Sequence, residues 1–268
     1  MASASHIGQA LLAVSSRETI KFFHQRGRLA SAVVRPSLWL LIFAAGFKNV
    51  FGISVLPPYN SYIEYQVYVV PGLLGMVLLF NGMQSSLAMV YDREMGLMRL
   101  LLTAPLPRSV LLACKLAAGM FLSVLQAYAF LVVCALFGVD LPWWPGLLTV
   151  LPALMLVGLM LGALGLLLSV YIKQLENFAG TMNFVIFPMF FLSPALYPLW
   201  KLKESGAQVI YQVSRVNPFT HGVELVRFAF YGQINWISLA VVTGALVVFF
   251  ALAVWGYDPQ RGLVRRKG

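Results

Sequence analysis

The sequence predicts an all-α polytopic membrane protein with six transmembrane helices, and three observations carry that prediction. Of 268 residues, 60% are hydrophobic and only 10% charged, whereas a soluble domain carries roughly 25% charged residues. Mean hydropathy is +0.82, which excludes a water-soluble globule. The apolar residues also gather into runs of about 18 or more, long enough for spanning helices and too long for barrel strands. Six spans consume roughly 120 residues. The remainder suffices for one long loop and two tails but not for a separate catalytic domain, so residues 1–268 read as a single transmembrane domain. Within it, 1–28 form an interfacial helix, 29–257 a six-span core and 258–268 a cytoplasmic tail.

The N-terminal segment contains no span. Arg17, Lys21, His24 and Arg28 recur at steps of four, three and four beside an apolar stripe of Ile7, Leu11, Val14, Phe22 and Leu29. That spacing predicts an amphipathic helix on the cytoplasmic membrane surface; the alternative is a basic tail that only sets orientation. No long apolar stretch follows the early basic residues, so no cleavable signal peptide is expected and the first span does the targeting.

The spans run near Leu29 to Phe47, Tyr68 to Val90, Val110 to Phe137, Gly146 to Val170, Phe178 to Pro198 and Ile237 to Tyr257. Their internal prolines, Pro36, Pro71, Pro152, Pro188 and Pro194, are tolerable where neighbouring groups pair the freed carbonyls. Of the 19 Lys and Arg residues, 14 fall on the side that holds both termini and 5 on the other. The positive-inside rule therefore puts both termini in the cytoplasm, with Trp143, Trp144, Trp200 and Trp236 at the opposite interface. The net charge of +10 is explained by this topology better than by nucleic acid, which is not an expected partner. Cys114 and Cys134 lie about 30 Å apart along one helix, too far to bridge within the chain. The two three-span halves show no self-similarity.

Between the second and third spans, Tyr91 to Arg108 reads YDREMGLMRLLLTAPLPR. Leu97, Leu100 and Leu101 share a helix face there, while Arg93 and Arg99 add charge. A short helix parallel to the membrane would seat those leucines in a partner's groove; an ordinary turn touching lipid is the plain alternative. The outer loop from Trp200 to Trp236 is the longest, and Asn217 with Pro218 forms a helix start. Phe219, Val223, Val226 and Phe230 then repeat at helical spacing, with His221, Glu224 and Arg227 on a more polar side and a Glu224 to Arg227 pair possible at a separation of three. A lone His221 without a second ligand does not read as a metal site.

Within the spans, Gly158, Gly162 and Gly165 lie on one face and should let the fourth span approach a neighbour closely. Asn81, Gln84 and Ser85 share a face of the second span, and Thr181, Asn183 and Ser193 give the fifth some polarity. Such residues either bind helices together or line a route. No carboxylate falls at the centre of a span, which disfavours an ion-coupled carrier. The three histidines are scattered, leaving no catalytic or metal constellation, and G-x-x-x-x-G-K-[ST] is missing. Catalytic, cofactor and metal residues are accordingly none, and energy for moving a solute must come from another subunit.

These features resemble the permease subunits of ABC-2-type ABC exporters over nearly the whole chain. The resemblance rests on the amphipathic N-terminus, the six spans, and Asp92-Arg93-Glu94-Met95-Gly96 leading to Arg99-Leu100-Leu101-Leu102-Thr103-Ala104-Pro105. It rests further on Ser193-Pro194-Ala195-Leu196-Tyr197-Pro198 and on Asn217-Pro218-Phe219-Thr220 followed by Glu224 and Arg227. One departure is Gly96-Leu97-Met98-Arg99, where the family often carries an acidic residue, which puts one contact to the ATPase in doubt. The resemblance implies a permease homodimer or a pair with a sister chain in the bacterial inner membrane, joined by two copies of a cytosolic ABC ATPase that bind the ATP and Mg. It makes Tyr91 to Pro107 the coupling helix and Tyr171 to Asn177 the second cytoplasmic contact, so Arg93, Glu94, Leu97, Leu100, Leu101, Lys173 and Glu176 become the ATPase-coupling residues. Asn81, Gln84, Ser85, Thr181, Asn183 and Ser193 become the pathway lining, and Asn217, Pro218, Glu224 and Arg227 the outer gate helix. Export of a lipid, a lipid-linked glycan or an amphiphilic compound is the implied function. The competing expectations are an ATP-independent carrier, a lipid-modifying enzyme and a structural membrane subunit.

Overall fold

The structure, a computed structural model, describes residues 16, 20, 34–42, 57–59, 63–94, 107–172 and 174–257, with the side chains at 92, 93 and 108 left aside. The expected interfacial helix apart from Ser16 and Ile20, the leucine-bearing segment Met95 to Leu106, Lys173 and the tail beyond Tyr257 lie outside the described residues. The elements are helical: α1 (34–42), α2 (Tyr65–Glu94), α3 (Arg108–Leu136), α4 (Trp143–Tyr171), α5 (Leu175–Phe191), α6 (Leu199–Glu204), α7 (Gln208–Val216), α8 (Pro218–Phe230) and α9 (Trp236–Gly256).

Among the described residues, α2, α3, α4 and α9 are long and apolar enough to cross a membrane. The 30 residues of α2 give about 45 Å of helix, more than the roughly 30 Å hydrocarbon layer. Four of the six expected spans, the second, third, fourth and sixth, correspond to these; the first is described only over 34–42, and the helix in the fifth run is shorter than that run. That fifth helix, α5, has 17 residues and stops at Phe191, whereas the run continues to Pro198.

At the centre lies α4, packed on α2, α3, α8 and α9. Its glycines explain the closeness. A Cβ on Gly165 would meet Ser86 Oγ at 2.5 Å and the Gly82 carbonyl at 2.8 Å, and one on Gly162 would meet Leu116 of α3 at 2.7 Å. Backbones at such separations pack directly through dispersion contacts, which lipid, being as apolar as leucine, does not otherwise favour. The predicted glycine face therefore serves α2 and α3 together. Outermost is α9, whose exposed Trp236 and Trp255 bracket the helix at both ends, where interfacial aromatics belong.

Neighbouring contacts sort the helix ends into two sides. Glu94, Tyr171, Leu175 and Gly256 gather at one end of the bundle, Leu175 N–H donating to Glu94 at 2.8 Å and Gly256 facing the Tyr171 ring. At the other, Tyr59 meets Tyr231, Gly146 meets the Phe230 carbonyl, and Gly72 meets Ala195.

The shortening of α5 has a local cause. Proline at 188 removes a donor inside the helix, and the carbonyls of the last turn must find partners in an apolar setting. Leu192 N–H donates to the Pro188 carbonyl at 2.9 Å. The Asn217 amide donates to the Met189 and Leu192 carbonyls at 2.7 and 2.8 Å. Ser193 Oγ donates to the Phe190 carbonyl at 2.6 Å, and the Tyr197 hydroxyl to that of Phe191. Every carbonyl from 188 to 192 is thereby paired, four of the five by side chains beyond the helix, and two of those four by Asn217, the cap of α8.

Asn217 works at both helix ends. Its Oδ1 accepts from Phe219 N–H at 3.0 Å and caps α8, with Pro218 at the first helical position. Asn217→Ala should destabilise the chain by about 2–4 kcal/mol, combining a lost cap of about 1 kcal/mol with two carbonyls left unpaired. Asn217→Asp keeps an acceptor but no amide donor and should also unfold below the wild type, as measured by thermal unfolding of the purified chain in detergent. In the same assay Gly72→Ala, whose Cβ would lie 2.4 Å from the Ala195 carbonyl, should cost about 1–3 kcal/mol. Gly180→Ala, with nothing within 4 Å, should be neutral or slightly stabilising. Equal stability of the two glycine variants would refute the close approach of α2 to the 193–198 turn.

Candidate functional site

The candidate site is the set of polar groups that interrupts an otherwise apolar bundle, and it falls into three layers along the helix axes. The outermost layer surrounds the turn 192–198. Arg227 of α8 is buried and ion-paired with Glu224 one turn earlier. Its Nη2 donates to the Pro194 carbonyl at 2.8 Å, and its guanidinium carbon lies 4.2 Å from the Tyr68 ring centroid. The Tyr68 hydroxyl donates to the same Pro194 carbonyl at 3.0 Å, and Tyr65 donates to that of Leu196 at 2.6 Å.

Burial opposes the charge on Arg227, but Glu224, followed by Tyr68 and Tyr59, overrides it and raises the pKa, so the guanidinium stays charged. Tyr59 is pushed up by burial, with the Arg227 charge acting in the opposite direction. A buried cation is tolerable only when paired and hydrogen-bonded, and α2, the turn and α8 together meet that requirement. The predicted helix start and ion pair are thus both present. Among the expected site residues, Ser193, Asn217, Pro218, Glu224 and Arg227 converge here. Ser193, expected on a pathway wall, is fully buried, and its hydroxyl closes the end of α5.

The middle layer ties α2 to α3. Asn81 is buried; its amide donates to Ser123 Oγ at 2.5 Å and to the Gly119 carbonyl at 3.2 Å, and its Oδ1 accepts from Gln126 Nε2 at 3.0 Å. Asn81, Gln84 and Gln126 border a small cleft of about 20 Å3 that Arg35, Pro36, Met76, Val77 and Phe80 complete. Ser85 lies nearby against Gly119, on a second cleft shared with Lys115. The expected polar face of α5 is not joined to this layer: Thr181 bonds back to its own helix at the Asn177 carbonyl, 2.8 Å away, and Asn183 is exposed. Exposed Phe184, Phe187 and Phe191 flank it.

At the opposite end of the bundle, the Glu94 carboxylate accepts from Leu175 N–H at 2.8 Å. Leu175 is the first residue of α5, where the helix dipole and unpaired amides favour an anion. The two segments expected to face a cytosolic partner therefore meet directly, although Glu176 is exposed and Leu97, Leu100, Leu101, Lys173 and the Arg93 side chain lie outside the described residues. Among the described residues, no group of three His, Cys, Asp or Glu could hold a metal.

Sequence reasoning missed Tyr65, Tyr68, Gln126 and the placement of Arg35. Tyrosines in an apolar run look like core residues, and nothing in their spacing shows that their hydroxyls reach a turn some 130 positions away. Arg35, one of the 14 basic residues counted on the side of the termini, has its guanidinium carbon 3.9 Å from the centroid of the Phe80 ring. Phe80 is near the midpoint of α2, about 21 Å from Glu94 along the helix. Its removal from the basic count leaves the charge asymmetry between the sides intact.

Residues 9–231 match the model of the ABC-2 type transporter family. The chain is 28% identical over 233 residues to a protein named as a transport permease, ycf38, of Cyanophora paradoxa, covering 85% of this chain and 76% of that one. It is 26% identical over 238 residues to the inner membrane transport permease YadH of Escherichia coli strain K12, covering 86% and 88%. Over 124 residues it is 30% identical to nodulation protein J of Rhizobium meliloti, covering 46% of this chain and 44% of that protein. With its apolar helices and a family match over most of its length, this chain belongs to the ABC-2 type transporter family and is an integral membrane transport subunit.

Proposed function

We propose that the chain is the membrane-spanning permease of an ATP-driven exporter, working as a homodimer in a bacterial inner membrane with both termini in the cytoplasm. Two cytosolic ABC ATPase subunits bind the ATP and Mg and grip the inner face. The family supports such a partner, and the observation that carries the mechanism is the Glu94 to Leu175 bond. It joins the end of α2, which leads into the segment Tyr91 to Pro107, to the first turn of α5. A push delivered through Leu97, Leu100 and Leu101 then reaches α5 through a charge-assisted hydrogen bond and the backbone alike.

The middle layer and the exposed face of α5 line the route in this reading: Asn81, Gln84 and Ser85 from α2, and Thr181 and Asn183 from α5. Ser193 stands behind that wall. The outer layer is the gate. Asn217, Pro218, Glu224 and Arg227 hold α8 on the turn that ends α5, so any displacement of α5 is passed to α8 at the outer side. Cargo with both apolar and polar parts, a lipid, a lipid-linked glycan or an amphiphilic compound, suits a route with this mixture of carboxamides and phenyl rings.

Export is tested in vesicles containing the chain and its co-purified ATPase. Leu97→Asp combined with Leu101→Asp should detach the ATPase or abolish transport while the chain still folds; full transport by that variant would remove the coupling assignment. Glu94→Ala should retain the ATPase but lower transported molecules per ATP severalfold, because the dock persists and the link to α5 is lost. ATP-insensitive uphill transport by the chain alone would replace this reading with an independent carrier.

A further inference from the structure

We infer that Arg35, with Gln84 and Gln126, forms a recognition point for an anionic head group, a phosphate or carboxylate carried on an apolar body, halfway through the membrane. The observation is a cation without a counter-ion among the described residues. Trp39, one turn toward the outer side from Arg35, packs 6.3 Å from both Phe190 and Phe191 at the outer end of α5. On its other flank the Arg35 guanidinium lies over Phe80, near the middle of α2. Both neighbours place the charge inside the apolar bundle rather than at a head-group layer. Among the described residues it makes no ion pair and no hydrogen bond.

An ionisable side chain at such depth is costly and serves a function by default. The two buried or half-buried arginines among the described residues differ in this respect. Arg227 is neutralised by Glu224 and bonded to Pro194. Among the described residues Arg35 instead keeps its five donors unpaired, with its guanidinium carbon over the Phe80 ring, a donor set suited to bidentate binding of a carboxylate or phosphate.

The surroundings complete the site. Gln84 borders the same cleft with its carboxamide unengaged among the described residues, and Gln126 is held by its bond to Asn81. A volume of about 20 Å3 accommodates about one water-sized group, enough for an oxygen of the head group but not for the molecule behind it. The apolar body would extend along Met76, Val77 and Pro36. Under the export reading, on which the cargo assignment rests, this is where the cargo's charge is read. A resident anionic lipid would satisfy the same chemistry.

The test uses the purified full chain in neutral detergent and dodecyl phosphate as the probe, with dodecyltrimethylammonium as the control. Wild type should bind dodecyl phosphate saturably and not the control. Arg35→Gln should weaken binding about tenfold or more, the loss expected for a charge-assisted hydrogen bond, and Arg35→Lys should restore part of it. Gln84→Glu adds a carboxylate beside Arg35; it should abolish binding while the unfolding midpoint is kept, and it covers the case in which Arg35→Gln does not fold. Wild-type affinity in Gln84→Glu, or equal binding of the control by the wild type, overturns the proposal.

Two further measurements separate the sources of the anion, and either positive result supports the site. Phosphatidylglycerol retained through purification by the wild type and lost in Gln84→Glu identifies a resident lipid. ATP-driven movement of labelled dodecyl phosphate across phosphatidylcholine vesicles, lost in Gln84→Glu, identifies cargo. Failure of an ATPase to co-purify would sink the exporter reading and leave the binding result standing.

Discussion

A backbone carbonyl in hydrocarbon must have a partner, and the outer half of this protein is arranged around that requirement. Where α5 breaks off, at Phe191, the turn 192–198 is buried against α2 and α8. Broken backbone at membrane depth is stable only where protein buries it and supplies hydrogen bonds. Asn217, Ser193, Tyr197, Tyr65, Tyr68 and Arg227 supply them. The polar residues at the outer side are therefore first a solution to a solvation problem. Their mechanical consequence is that α2, α5 and α8 share a single joint.

Charge inside the bundle is handled in two ways. Around Arg227 the cost of burial is offset by an ion pair, a carbonyl and a tyrosine face, and the result is a rigid tie. Among the described residues Arg35 has the Phe80 face alone, with carboxamides close by. In a medium where each uncompensated charge is expensive, the first arrangement reads as architecture and the second as a place awaiting a counter-charge.

Packing between the spans rests on small residues rather than on apolar affinity, since lipid and leucine are equally good solvents for each other. Gly82, Gly162 and Gly165 let α2 and α4 approach to backbone contact, and Asn81, Ser123 and Gln126 tie α2 to α3. Among the described residues, α5 is held on the bundle chiefly by α2, with Trp39 of α1 against its end, and exposes Phe184 and Phe187. Such a helix, fixed at one end to Glu94 and at the other to Asn217, links the two ends of the bundle.

The sequence by itself determined the helical class, the approximate places of the apolar runs, the glycine face of α4, the Asn217–Pro218 helix start and the Glu224–Arg227 pair. Each is a property of neighbours within a few turns: run length, helical spacing, a cap followed by proline. It also carried the motifs that resemble the family to which the chain belongs. Only the tertiary structure decided that α5 ends seven residues before its apolar run does, because that stop depends on an amide from Asn217 and hydroxyls brought from elsewhere. Likewise, Arg35 looks like a margin residue when hydropathy is read along one chain. Its depth is set by the ring it packs on in another helix, and distances between helices are not encoded in the spacing within either one.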